Sequence, residues 1–365
     1  MRPLRLLMLL LAAVAGWSVP LAQAAQSEWA PEPVKHDWVQ LTSGEWLSGK
    51  IHSMYDDTLE FDSEKLDLLE IDWDDVKTLR SYQKLNVYLG GERIVSGQLR
   101  VTTKHLIVQG DGEPQTFDRN ALVSFAPAGQ RQIDLWLIKA GLSLNLQRGN
   151  TQQLDYTARV SLNRRTAQTR FLIDYIGNIS QTDAVSGTTT TTTNNHRINA
   201  TSNFYVTRRF FYSPINGEYY RDPFRNINRR LTIGAGLGYA LRDEKDLKWE
   251  VSAGPSYLAT RYRSVQAGQK TQESSLALML GTRLDADITE ELSFEFQYDI
   301  KLTRRSAGGY THHLIAAFEQ EVTKRIDFNI SLMWDRINNP AVDSQGVLPK
   351  PDDYRILTGI DFTFD

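Results

Sequence analysis

The sequence predicts an all-β protein: a transmembrane antiparallel β-barrel of about 12 strands, preceded by a tandem module of small, SH3-like β-barrel units. Three observations predict it. From Arg131 to Asp365 the chain alternates apolar and polar residues in segments of about 10–12, the period of a strand with two unlike faces. Short connections alternate with longer ones along the same stretch, as periplasmic turns alternate with extracellular loops in outer-membrane barrels. The last segment is aromatic, Asp361-Phe362-Thr363-Phe364-Asp365.

The chain opens on Met1–Ala25, which reads as a secretory signal peptide. Arg2 and Arg5 supply the basic start, Leu6–Val19 the apolar run, and Ala22-Gln23-Ala24 the cleavage site. The apolar run is shorter than the ~20 residues of a spanning helix. The chain has no cysteine, so disulfides, thiolate metal sites, a Cys nucleophile and a lipoprotein anchor are excluded. Formal net charge is -3 with no basic face, which argues against nucleic acid as a partner.

Residues 26–130 read as a periplasmic module of two repeats, about 37–80 and 85–126. Val39–Lys50 matches Val87–Gln98, and Ile71–Val76 matches Phe117–Leu122, at offsets of 46 to 48 residues. Each copy reads strand, glycine turn, strand, turn, strand, with Gly44 and Gly91 able to take positive φ. The cluster Asp72, Asp74 and Asp75 lacks the glycine and spacing of an EF-hand and reads as a solvated edge. Ala126-Pro127-Ala128-Gly129 marks the linker to the barrel, residues 131–365.

In the barrel one face of nearly every strand is Leu, Ile, Val, Phe or Tyr. In Leu292–Thr303, for example, Leu292, Phe294, Phe296, Tyr298 and Ile300 alternate with Ser293, Glu295, Gln297, Asp299 and Lys301. A charged inner face cannot pack a dry core, because an unpaired buried charge is costly. It can line a lumen, with the apolar face turned to lipid. Thr188–Thr193 reads as part of an outside loop.

The inward positions then carry both signs. Arg159, Arg170, Arg197 and Arg230 face Asp155, Asp174 and Glu218 on the early strands. Glu250 and Arg283 follow, and Glu295, Asp299, Glu319, Asp327, Asp335 and Asp361 face Lys301 and Arg355 on the late ones. Two readings stand: a basic-leaning wall opposite an acidic-leaning one across an open pore, or charges that pair and plug the interior. Gly234, Gly236 and Gly238 on one inner face would leave room or let that wall bend. No nucleophile elbow or metal-ligand spacing appears, and His312 and His313, being adjacent, point to opposite faces. No catalytic residue, cofactor or metal is expected.

The signal peptide, Tyr219-Tyr220-Arg221-Asp222-Pro223-Phe224-Arg225, Leu237-Gly238-Tyr239 and the terminal aromatic strand resemble the salt-induced outer-membrane proteins of the YdiY type, the family of domain of unknown function 481. The resemblance covers about 133–365 and implies a barrel in the outer membrane, with no catalytic residues and no established substrate. Phe364 is followed by Asp365 and does not end the chain, and residues 33–127 are additional to the family's core.

The expected function is that of an outer-membrane barrel of a Gram-negative bacterium, a passive channel for small polar or ionic solutes. The alternatives are a plugged adaptor that anchors a periplasmic binding module and, third, a hydrolase. The expected partners are outer-membrane lipid, and the barrel-assembly machinery and periplasmic chaperones during biogenesis. Residues 26–130 would meet peptidoglycan or a periplasmic protein. The protein is expected to be a monomer.

Overall fold

The period-two segments become strands because each has a face to bury and a face to turn away. The computed structural model describes residues 30–63, 65–91, 93–147, 152–183, 189–289 and 291–364. The predicted signal peptide lies outside them.

The first sheet holds nine strands: β1 (Asp37–Leu41), β2 (Trp46–Tyr55), β3 (Thr58–Ser63), β4 (Asp67–Asp72), β5 (Val76–Leu89), β6 (Arg93–Val101), β7 (His105–Gln109), β8 (Gln115–Asp118) and β9 (Leu122–Pro127). Its order is β4-β3-β2-β1-β5-β6-β7-β8, with β9 on β2 and β5. The long β5 explains the repeat. Its first half ends copy one, pairing β1 at Val39↔Leu79. Its second half opens copy two, pairing β9 at Val87↔Phe125. Because β9 also reaches β2 at Met54↔Phe125, strands β1, β2, β9 and β5 close a four-strand barrel.

Gly44 and Gly91 do take positive φ, 110° and 84°. Each copy also contains a fourth strand and a 3-10 turn (Trp73–Asp75 and Arg119–Ala121) that the period-two pattern does not reveal. Arg119 stitches the copies together. Its guanidinium lies 4.7 Å from the Trp73 ring centroid and donates to the carbonyls of Val76 and Thr102. The fully buried Ile51, Met54, Phe61, Leu85 and Phe125 form the core. Each such side chain contributes about 1.5–3 kcal/mol relative to exposure.

The second sheet is a closed barrel of twelve antiparallel strands. They are β10 (Trp136–Gln147), β11 (Gln152–Arg165), β12 (Thr169–Asp183), β13 (Thr189–Tyr205), β14 (Phe210–Asp222), β15 (Ile227–Glu244), β16 (Leu247–Tyr262), β17 (Gln272–Asp287), β18 (Leu292–Leu302), β19 (Tyr310–Thr323), β20 (Ile326–Ile337) and β21 (Asp352–Phe364). Closure is the pairing of β10 with β21, from Ile138↔Phe364 to Leu142↔Ile360. The start of β10 and the end of β21 share one end, here the near end, with the turns at 166–168, 206–209, 245–246 and 324–325. The far end carries 223–226, 263–271, 303–309 and 338–351.

One stretch expected in an outside loop is strand, and the connection at 223–226 is short. Thr189–Thr193 is strand, paired with β12 from Asp183↔Thr189 to Ser180↔Thr193. β-branched threonine fits a pleated strand even where it is polar, so composition misled the loop assignment there. Residues 223–226 form a 3-10 turn started by Pro223 and ended by Asn226 at φ 59°. β14 is irregular: its register with β15 breaks between Ser213 and Asn216. Pro214 has no N–H for the ladder, so the break falls there.

Candidate functional site

The outer surface of the barrel is built from the apolar face. Leu237, Leu278, Leu332, Ile356 and Ile360 are all exposed. At the far end aromatic rings form a ladder across four strands: Tyr298 to His312 5.6 Å, His312 to Trp334 5.4 Å, and Trp334 to Tyr354 6.1 Å between centroids, all nearly parallel. Trp334 Nε1 donates to Asp352 at 2.9 Å. At the near end Phe171, Phe204 and Tyr212 form a second aromatic row, as do Phe294 and Phe318.

Inside, the register places each predicted charged residue on the inward face. The charges of the two walls meet. Arg170 on β12 reaches Glu250 on β16 at 2.6 Å, across intervening strands. Arg197 on β13 joins Glu218 and, from the opposite wall, Asp335, both at 2.5 Å. Lys301 on β18 takes the other oxygen of Glu218 at 2.5 Å. His313 Nδ1 lies 2.9 Å from Asp335, while adjacent His312 faces outward onto Tyr298.

Arg283 pairs with Glu295 at 3.1 Å, and Arg159 donates to Ser331. Arg355 pairs with Asp353 and also donates to Asn195 at 3.2 Å. From Asn195 amide and hydroxyl bonds run on through Asn178 to Thr157. Asp361 accepts from Asn329, and Asp327 lies beside it on β20. Asp299 accepts from Gln297, and Arg230 donates to Thr260. Lys139, which the sequence reading passed over, reaches Glu319 at 3.5 Å. Alternation predicts which residues share a face; nothing local could tell which would meet across the interior.

The paired charges divide the interior. Toward the near end lie adjoining chambers of about 430 Å³ and 170 Å³, which share Asp174, Asn199, Arg283 and Gln297. Gly236 lines the smaller one, and the Phe211 ring fills the space over Gly238. Beyond the Arg197 layer a cavity of only about 20 Å³ remains. There the far loops fold in: the Asn226 amide donates to the carbonyls of Ser264 and Ala341, and Arg225 donates to that of Pro351.

The module lies across the near mouth. Its β2–β3 turn holds Asp56 and Asp57, both at positive φ (49° and 54°). Asp56 pairs with Arg165 at 2.7 Å and Asp57 with Arg208 at 2.5 Å. Arg165 is stacked between the rings of Tyr55 and Tyr205, at 4.6 and 4.2 Å. Burial raises the Asp56 carboxyl, but Arg165, Arg170 and Lys248 outweigh it and hold the group below its ordinary value. At Asp57 burial wins over Arg208 and pushes the carboxyl up.

Tyr88 and Val123 of the module form a buried cluster with Ala167, Tyr205 and Phe211 of the barrel, and the Tyr88 hydroxyl donates to the Tyr205 carbonyl at 2.6 Å. Asp72, at the expected solvated edge, accepts from the Lys245 amide, and Asp67 faces Lys324 at 3.9 Å. The module thus touches turns on both sides of the rim.

Among solved structures the chain is similar to the NanC porin, with 11% identity, TM-score 0.38, and coverage of 62% of this chain and 98% of that one. It is also similar to the outer-membrane channel DcaP of Acinetobacter baumannii, with 12% identity, TM-score 0.30, and coverage of 90% and 94%. A third likeness is to the translocator domain of the autotransporter NalP from Neisseria meningitidis, with 12% identity, TM-score 0.33, and coverage of 63% and 88%. A search of curated proteins gives no match. The family resemblance carried by Tyr219–Arg225 and the terminal aromatic strand is borne out, since the model of one family matches residues 140–364: this chain belongs to the family described as protein of unknown function, DUF481.

Proposed function

We propose that the protein spans the outer membrane with its module on the periplasmic side, and that it is a conduit for small polar or ionic solutes which the module holds shut. The observation that carries this reading is an interior of charged and polar side chains enclosing chambers of about 430 and 170 Å³, inside a barrel whose outward face is apolar. In water that outward face would be exposed at a large cost; in a bilayer it is the solvated one. Strands of 11 to 18 residues meet or exceed the ~9–11 that a tilted strand needs to cross the hydrocarbon. The aromatic rows at both ends fit the two interfaces.

A second reading, the barrel as an anchor for the module, is favoured by the docking contacts themselves, which are compatible with a barrel that never opens. The hydrolase alternative gains nothing: Asp335 engages His313, and His312 faces outward.

Planar-bilayer conductance of the full chain separates the two readings, with Asp56→Lys as the diagnostic variant because it sets a cation against Arg165. Rare, brief steps from the native protein and frequent ones from Asp56→Lys are expected. Silence from both, in protein whose folding is shown by its strand-type circular dichroism, would leave the anchor reading standing alone.

A further inference from the structure

The cavity beyond the Arg197 layer is bordered by more positive charge than its carboxylates neutralise, and we infer that it is a binding site for one small monovalent anion of chloride size. The inference deepens the conduit reading by naming the ion class that the far mouth takes. It rests on that reading for its role only.

Four inward cations border the cavity: Arg197, Arg225, Arg230 and Lys301. Three inward carboxylates border it: Glu218, Asp299 and Asp335. Arg336 also reaches it but is matched by Asp352 at 2.6 Å. Glu218 and Asp335 are already held by Arg197, Lys301 and His313. Arg230 is 5% exposed, and among the described residues it finds only the Thr260 hydroxyl, accepting from Nε at 2.9 Å. Arg225 is 7% exposed and, among the described residues, donates only to the carbonyls of Pro351 at 2.6 Å and Asp335 at 3.5 Å. Asp222, the next acid along the chain, is taken up by the Tyr220 hydroxyl and the amides of Phe224 and Arg225, and does not border the cavity.

A guanidinium cannot give up its proton at any ordinary pH. A buried one without a direct counter-charge is costly, and here, among the described residues, the hydrogen-bond partners of two of them are neutral oxygens, with Glu218 and Asp222 acting on Arg230 and Arg225 only from beyond ion-pair distance. Four cations against three carboxylates leave one charge, which one monovalent anion balances. Size sets the rest of the identity: about 20 Å³ of space holds one water-sized particle. Chloride or bromide fits; sulfate, phosphate and organic carboxylates do not.

The test is thermal unfolding of the full detergent-folded protein in sodium chloride, bromide, sulfate and gluconate at equal ionic strength. Chloride and bromide should raise the midpoint saturably, by about 4 °C at ten times the dissociation constant, with no rise in sulfate or gluconate. In Arg230→Gln the halide response should be lost, and in Arg230→Lys retained in part. If Arg230→Gln fails to fold, Thr260→Val, which frees Arg230 Nε, and ³⁵Cl line broadening by the native protein take its place. Equal midpoints in all four salts, or no broadening above a detergent blank, would overturn the site. Because neither readout needs current to flow, a silent bilayer would count against the conduit and leave the anion site intact.

Discussion

Arg197 shows what a single residue does in this interior. It is buried with a carboxylate on each side, and its guanidinium lies 4.5 Å from the Tyr220 ring centroid. An exposed ion pair is worth about 0–1 kcal/mol, because water answers either charge as well as the partner does. Here water is largely displaced, so removing the cation leaves Glu218 with Lys301 alone and Asp335 with His313 alone. Arg197→Ala should therefore cost about 3–5 kcal/mol, seen as an earlier denaturant midpoint in detergent. Adding Glu218→Gln and Asp335→Asn should recover part of that loss, since the two under-compensated carboxylate charges go with them. A triple variant as unstable as the single one would show that Arg197 acts through packing on Tyr220.

At the scale of elements, the barrel strands were legible because each repeats one rule along its length. In β18 the alternation runs unbroken, so both faces can be read by inspection. The strand ends were not legible: Thr189–Thr193 carries no apolar alternation, yet it pairs with β12 because its backbone finds a partner there. Nor was the docking of the module legible, since Asp56 and Asp57 look like any polar turn until Arg165 and Arg208 are brought to them from over a hundred residues away. The interior charges were legible as a set and illegible as pairs, because pairing depends on how strands far apart in sequence face each other across the barrel.

The outward rule has its own test. Leu332 lies midway along β20 and is exposed. Leu332→Arg should destabilise the protein in lipid vesicles by about 2–4 kcal/mol, whereas Val322→Arg at the near rim should cost about 0–1 kcal/mol. Equal costs at the two depths would argue against a bilayer around this barrel.

For the whole molecule, the question is whether the two sheets move relative to each other. Their interface combines features that resist separation, the buried cluster of Tyr88, Val123, Ala167, Tyr205 and Phe211, with features that salt screens, such as Asp67 against Lys324. The hydrophobic part lies to one side, on the β11–β12 and β13–β14 turns; Lys245 and Lys324 hold the module by polar contacts alone. Opening would therefore begin at the polar side and hinge on the apolar one. Because the chain has no cysteine, two can be introduced without side reactions. Ser124 and Ala167 meet on the apolar side, where the Ser124 hydroxyl donates to the Ala167 carbonyl. Asp67 and Lys324 meet on the polar side. Joining Ser124→Cys to Ala167→Cys by a direct disulfide should leave bilayer conductance nearly unchanged, because a hinge tolerates being pinned. Joining Asp67→Cys to Lys324→Cys with a short bismaleimide should abolish it. Silencing by both links would mean that the module leaves the mouth as a whole; silencing by neither would mean that the near mouth is not where passage is controlled.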